Sequence, residues 1–156
     1  MFIKFSFLLY MLSSTYAFMV LAPIVYNTKE NSISANCINQ LKKYNSIVSN
    51  CKDDICNEAF TESFVEDART NCGENDIEKK LFEQIESTYL FNSISKFEVD
   101  GINCSLYSVN FGQSIESRCK CMEKVIKYLE QYTTKYRNSI LTDSIVDFKK
   151  EITEYC

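Results

Sequence analysis

The chain has 156 residues with 17 basic and 21 acidic side chains, a net charge of −4, and a composition that is 46% hydrophobic and 24% charged. This balance is typical of one packed domain and excludes an intrinsically disordered chain. The acidic net charge, with no run of lysine or arginine longer than two, argues against a nucleic-acid partner. Histidine is absent, which excludes serine–histidine and cysteine–histidine nucleophile pairs and histidine-containing zinc sites.

The start of the chain has the pattern of a secretory signal peptide. One basic residue, Lys4, precedes an apolar stretch, and Thr15 and Ala17 supply the small residues of a cleavage site. We therefore predict that residues 1–17 are a signal peptide that is removed after Ala17. Residues 18–156 are then predicted to form a single secreted, extracellular domain with no membrane attachment.

Two alternatives to this cleavage remain open. Val20 and Ala22 form a second small-x-small site, but Pro23 would directly follow the cut, which signal peptidase tolerates poorly. Apolar character also continues as far as Tyr26, so residues 5–26 are long enough to stay as an uncleaved membrane anchor. All three possibilities deliver the rest of the chain to the secretory lumen.

In that oxidising compartment the even number of cysteines predicts four disulfides with a structural role and no metal site. The cysteines are Cys37, Cys51, Cys56, Cys72, Cys104, Cys119, Cys121 and Cys156. The sequence has one N-glycosylation sequon, formed by Asn103, Cys104 and Ser105. We predict Asn103 as a weak acceptor because a disulfide-bonded cysteine at the centre of the sequon hinders glycan transfer.

Five segments carry apolar residues at helical spacing, and each predicts an amphipathic helix. They cover 33–51, 55–72, about 77–89 after a capping box at Asn75 and Glu78, about 113–136, and 142–156. The predicted fold class is therefore mainly α, a disulfide-stapled bundle of about five helices. Apolar and polar residues alternate on both sides of Asp100-Gly101, which predicts a short β-hairpin near residues 96–106, with an ordered loop as the alternative.

The first four cysteines have a spacing that suggests their pairing. Cys37 and Cys51 are 14 residues apart and Cys56 and Cys72 are 16 residues apart. These separations correspond to about 21 Å and about 24 Å along a helix. If the two helices fold back through the short turn between them, Cys51 meets Cys56. The same fold brings Cys37 to Cys72 at the open end.

This arrangement resembles the doubly stapled helical hairpin of twin-cysteine coiled-coil–helix domains. The resemblance covers the 36 residues from Cys37 to Cys72, and the intervening stretches of 13 and 15 residues are longer than those of that family. It implies the geometry of a stapled hairpin and nothing about function.

The last four cysteines leave two pairings open. Cys119 and Cys121 are two residues apart on one helix, about 200° around its axis, so they face different neighbours. One of them is expected to bond to Cys104 and the other to Cys156. The sequence does not choose between these assignments.

Three groups of polar residues are candidates for chemistry or recognition. Glu58, Glu62 and Glu66 form an acidic row that would suit a cation or a basic partner, although a solvated helix face is the simpler interpretation. Glu98 and Asp100 beside the predicted turn are the first carboxylates to examine for a buried catalytic pair. A third group, a recognition patch rich in tyrosine and lysine, is predicted from Tyr128, Tyr132, Lys124, Lys127 and Lys135.

None of these groups amounts to a catalytic, cofactor-binding or metal-binding signature. We therefore predict a secreted, non-enzymatic binding protein that acts on an unidentified extracellular protein partner and needs no cofactor. The alternative is a carrier of a small hydrophobic ligand, such as a lipid, because the 11 phenylalanines and 10 tyrosines could line a helical cavity.

Overall fold

The computed structural model describes residues 23–27, 32–51, 60–104, 115–136, 149–150 and 156. Its elements are α1 (Ala35–Ser49), α2 (Glu62–Asn71), α3 (Asp76–Ile94), β1 (Glu98–Val99), β2 (Ile102–Asn103) and α4 (Ile115–Lys135). The protein is mainly helical and disulfide-bonded, in agreement with the predicted fold class. No helix among these residues is long and apolar enough to cross a membrane.

The chain divides into two compact units, Met1–Asn92 and Ser93–Cys156, which are called unit 1 and unit 2 below. The predicted leader and its cleavage site lie outside the described residues, so the boundary at Ala17 stays a prediction. The single domain predicted for 18–156 also stays a prediction. The helix predicted from 142 to 156 falls almost entirely outside the described residues.

Helix α1 follows the apolar stripe that the sequence predicts for it. It begins after Ser34, whose hydroxyl accepts a hydrogen bond from the N–H of Cys37 at 3.2 Å, as an N-cap residue should. Its buried face carries Cys37, Gln40, Leu41, Tyr44 and Val48. The helix ends at Ser49, and the N–H of the following residue, Asn50, bonds to the carbonyl groups of the last turn.

Helix α2 begins later than its apolar stripe predicts. Thr61 is in an extended conformation and its hydroxyl accepts the N–H of Phe64 at 3.2 Å, so the helix begins at Glu62. The predicted helix across 55–61 is therefore wrong at Phe60 and Thr61, and residues 52–59 lie outside the described residues. The stripe misleads because Phe60 is buried although it lies before the helix, so the apolar period begins earlier than the helix does.

The core of unit 1 is built around the Phe60 ring. Its centroid lies 5.8 Å from the ring centroids of Tyr44, Phe64 and Tyr89, two of them in edge-to-face geometry. These contacts join α1, α2 and α3 in one apolar cluster. Aromatic pairs of this kind stabilise a core by about 0.5–1.5 kcal/mol beyond the area they bury.

Two hydrogen bonds show the relative direction of α1 and α3. The N–H of Ser34 bonds to the carboxylate of Glu78, and the hydroxyl of Tyr44 bonds to that of Thr88, 3.0 Å away. Both pairs are separated by 44 residues, so the two helices run parallel and in register. Helix α2 runs antiparallel to them, which places its end beside the beginning of α1.

A disulfide closes that end of unit 1. Cys37 near the beginning of α1 bonds to Cys72 directly after α2, with Cα atoms 4.6 Å apart, and this is the pairing that the helical spans predict. Cys51 is also disulfide-bonded, and its predicted partner, Cys56, lies outside the described residues. None of the cysteines that the structure describes is free.

The segment before α1 is held against it by one side chain. The carboxamide of Asn45 accepts the N–H of Ile24 at 2.7 Å and donates to the Ile24 carbonyl at 3.0 Å. The Ile24 side chain joins the core, whereas the next residue, Val25, is exposed. Residues 23–27 are therefore part of unit 1, although no sequence pattern indicates a partner for them.

Unit 2 contains the predicted hairpin. Strands β1 and β2 are antiparallel, with Glu98 opposite Asn103 and Val99 opposite Ile102. Asp100 and Gly101 form the turn at φ values of 53° and 76°. Two positive φ values are the mark of the tight turn that Asp-Gly favours, and glycine adopts the second without strain.

Two disulfides connect helix α4 to its neighbours in unit 2. Cys104 bonds to Cys121 and Cys119 bonds to Cys156, which decides between the two assignments that the sequence leaves open. Cys104 and Cys121 are almost completely buried, whereas Cys156 is exposed. The first bridge thus holds the hairpin on α4.

Candidate interaction surface

Buried carboxylates are the first place to look for chemistry, and Glu78 is one of them, with no exposed surface. One of its oxygens accepts the N–H of Ser34 at 2.7 Å and the other accepts the N–H of Glu74 at 2.9 Å. Burial raises the pKa of the Glu78 carboxyl, but these two N–H donors and the Ser34 hydroxyl outweigh burial and hold the pKa below its ordinary value. Glu78 is thus an ionised clamp between the starts of α1 and α3.

The capping box predicted at the start of α3 is present only in part. Asn75 accepts the N–H groups of Ile77 and Glu78 at 3.0 Å, as a cap should. The Glu78 side chain reaches Ser34 and Glu74 instead of the N–H of Asn75. The motif locates the beginning of the helix correctly, but it does not reveal that its glutamate connects two helices.

The second buried carboxylate, Glu86, is neutralised by an arginine. The Arg69 guanidinium lies 2.6 Å from a Glu86 oxygen, and the same guanidinium lies over the Phe82 ring, 4.8 Å from its centroid. A buried carboxylate needs such a partner because an uncompensated charge in the interior is costly. Glu86 and Arg69 therefore connect α2 to α3.

The acidic row for which a solvated helix face is the simpler interpretation is described only at Glu62 and Glu66. Glu62 is half-buried, Glu66 is exposed, and Glu58 lies outside the described residues. Over the part of the chain that the structure describes, no group of three acidic or cysteine side chains is placed to hold a metal ion. Glu62 and Glu66 lie on α2, as the solvated-face interpretation expects.

Glu98 and Asp100, the carboxylates considered for a catalytic pair, are exposed on the hairpin. Asp100 lies 2.9 Å from the ammonium group of Lys120, which also lies 3.2 Å from Glu116. Hydrogen bonds to these two carboxylates raise the pKa of Lys120. The suggestion of a buried pair at Glu98 and Asp100 is therefore wrong, since both side chains face solvent.

Part of the predicted tyrosine–lysine patch serves to hold the hairpin. Tyr128 stacks edge-on against Phe97, with centroids 5.1 Å apart. Lys124 donates to the carbonyl of Glu98 at 2.7 Å and lies over the Phe97 ring. Tyr132, another predicted member, is only 5% exposed. The patch is therefore smaller than predicted and lacks Tyr132.

One face of α4 is exposed, and we call it the outer face; it includes Lys124, which also bonds to the hairpin. It consists of Glu116, Lys120, Glu123, Lys124, Lys127, Gln131, Thr134 and Lys135. The outer face carries four lysines and two glutamates, although acidic residues outnumber basic ones in the whole chain. The outer face is thus a locally basic surface on an acidic protein, and Lys127 lies at its middle.

Comparison of the chain with protein-family models, curated proteins and solved structures finds no match.

Proposed function

We propose that the protein is a secreted, non-enzymatic binding protein that recognises an acidic extracellular protein through the outer face of α4. The observation that carries the proposal is the basic character of this exposed face in a chain with a net charge of −4. Local charge of the sign opposite to that of the remaining surface directs a partner to one orientation and accelerates its encounter.

The surroundings of α4 support this use of its outer face. The Cys104–Cys121 bridge, the Phe97–Tyr128 ring contact and the Lys124–Glu98 hydrogen bond hold the helix and the hairpin together. A surface that is rigid before binding loses less conformational entropy on binding. The disulfides also favour an oxidising compartment, and this is the support for secretion.

The arrangement of the carboxylates supports a binding role over catalysis. Glu78 is ionised and bound by two N–H groups, and Glu86 is paired with Arg69. A general acid or base needs a pKa near the working pH. The donors around Glu78 move its pKa in the opposite direction, which suits a structural role.

The proposal predicts that Lys127→Glu weakens partner binding roughly tenfold, about 1.4 kcal/mol, because it places a like charge against an acidic partner. Lys43→Glu on α1 is the matched control, since both lysines are exposed on helices and both changes alter the charge equally. The wild-type protein and both variants are immobilised side by side and exposed to the extracellular fluid of the source. The recovered proteins are then quantified by mass spectrometry.

We expect one acidic protein to be recovered with the wild type and with Lys43→Glu, and to be depleted with Lys127→Glu. Equal recovery with all three proteins would place recognition elsewhere. Native mass spectrometry of the secreted protein tests the carrier alternative. A retained adduct with the mass of a lipid would favour a carrier.

A further inference from the structure

The sequon at Asn103 is left unused by the proposed binding function, and the structure shows where its acceptor lies. Asn103 stands opposite Glu98 in the hairpin, and residues directly opposite each other point to the same face of a sheet. Both side chains are exposed. We call this the solvent face of the hairpin.

The alternate residues of the hairpin point to α4. Phe97 precedes Glu98 and stacks on Tyr128, and Cys104 follows Asn103 and is bonded to Cys121. The residues next to the exposed pair are therefore directed at the helix. Because side chains alternate along a strand, Asn103 is directed away from α4. A glycan on its amide nitrogen would therefore extend into solvent without displacing the helix.

The residue at the centre of the sequon is fixed in the folded protein. The Cys104 N–H bonds to the carbonyl of Phe97 at 2.6 Å, and its side chain is in the disulfide with Cys121. A transferase must bind the sequon as an extended, accessible peptide, and Cys104 is almost completely buried once the bridge has formed. Ser105 contributes its hydroxyl to the sequon and lies outside the described residues.

We propose that Asn103 is an N-glycan acceptor whose occupancy is set by competition between glycan transfer and closure of the Cys104–Cys121 bridge. In the transfer, the Asn103 amide nitrogen forms a bond to the first sugar of a lipid-pyrophosphate-linked oligosaccharide. The bond between that sugar and the pyrophosphate breaks, the lipid pyrophosphate leaves, and the amide releases one proton. In the competing reaction, the two thiols lose two hydrogens to a disulfide donor of the secretory lumen.

The order of synthesis gives glycan transfer the first opportunity. Cys121 lies 17 residues after Cys104, so Asn103 enters the lumen before the second cysteine of the bridge. Some chains are modified in this interval, and the remainder close the bridge first. Partial occupancy follows, and it should increase whenever closure is delayed or prevented. This inference rests on the secretion that the proposed function includes.

The test is expression of the full chain in a eukaryotic secretory cell line, with the protein collected from the medium. Peptide N-glycosidase leaves an aspartate at each glycosylated position, and peptide mass spectrometry then gives the occupancy of Asn103. The double variant Cys104→Ala/Cys121→Ala keeps a sequon, leaves no unpaired thiol and cannot form the bridge. Ser105→Ala is the control that abolishes the sequon.

We expect partial occupancy in the wild type, a severalfold increase in the double variant and complete loss in Ser105→Ala. Because the double variant could fail to leave the cell, wild-type synthesis with dithiothreitol present provides a second measurement, in which intracellular chains should also show increased occupancy. Equal occupancy with and without the bridge would overturn the competition. Unmodified protein in the medium under every condition would show that Asn103 is not a glycan acceptor, and secretion would still hold. Failure of the chain to enter the lumen would contradict both glycosylation and secretion.

Discussion

Replacing the bridge between Cys37 and Cys72 by two alanines should lower the free energy of unfolding of unit 1 by about 4 kcal/mol, the loop-closure contribution for a loop of this length. The bridge spans 35 residues and joins the beginning of α1 to the end of α2. Both cysteines are almost completely buried, so the loss of packed sulfur atoms adds to the effect. Hydrogen exchange followed on peptides of unit 1 during denaturant titration measures the change.

The matched control is Cys119→Ala/Cys156→Ala in unit 2. Its loop of 37 residues has nearly the same closure entropy, but Cys156 is exposed. The loss in unit 1 should therefore exceed the loss in unit 2, and the excess measures the packing of the buried bridge. A smaller loss for the Cys37–Cys72 pair would contradict the role assigned to it in the core.

Glu78→Gln should destabilise unit 1 by about 3 kcal/mol, although the side chain keeps its size. The glutamine amide can accept only one of the two N–H groups, from Ser34 and Glu74, that the carboxylate now binds. Its NH₂ group would face the other donor at close range, and the buried donor would lose its acceptor. Glu74→Gln is the control, because the exposed Glu74 contributes only its backbone N–H.

The same glutamate predicts part of the acid sensitivity of unit 1. The pKa of Glu78 is lower in the folded protein than its ordinary value of 4.5, so the unfolded chain binds the proton more readily. Its contribution is present above that ordinary value and is lost as the pH falls through the folded pKa. Denaturant titrations at a series of acidic pH values should show this loss in the wild type and in Glu74→Gln. A Glu78→Gln variant with the same acid dependence as the wild type would contradict the clamp.

The features that follow from short-range patterns could be predicted from the sequence. The stripe of α1 places Cys37, Leu41 and Tyr44 on one face, and all three are buried. Asp100-Gly101 forms the hairpin turn because few other residue pairs tolerate two positive φ values. The Cys37–Cys72 pairing follows from the similar spans of two consecutive helical stripes.

The features that depend on contacts between distant residues could not be predicted from the sequence. Glu78 and Glu86 resemble solvated helix residues in the sequence, and their burial depends on donors from Ser34 and Arg69, 44 and 17 residues away. The beginning of α2 was missed because Thr61 interrupts the helix without interrupting the apolar period. Pairing among the last cysteines depends on which side of α4 meets the hairpin, and the helical stripe alone does not give this information.

If recognition uses the outer face of α4, the partner covers Lys127 in the complex, and lysine-reactivity mapping measures this. The protein is treated with a limiting amine-acylating reagent, alone and in its complex with the recovered partner, and each lysine is quantified by mass spectrometry. We expect Lys127 to lose reactivity in the complex, whereas Lys43 and Lys80 in unit 1 keep theirs. Protection of Lys43 and Lys80 with unchanged reactivity at Lys127 would contradict it.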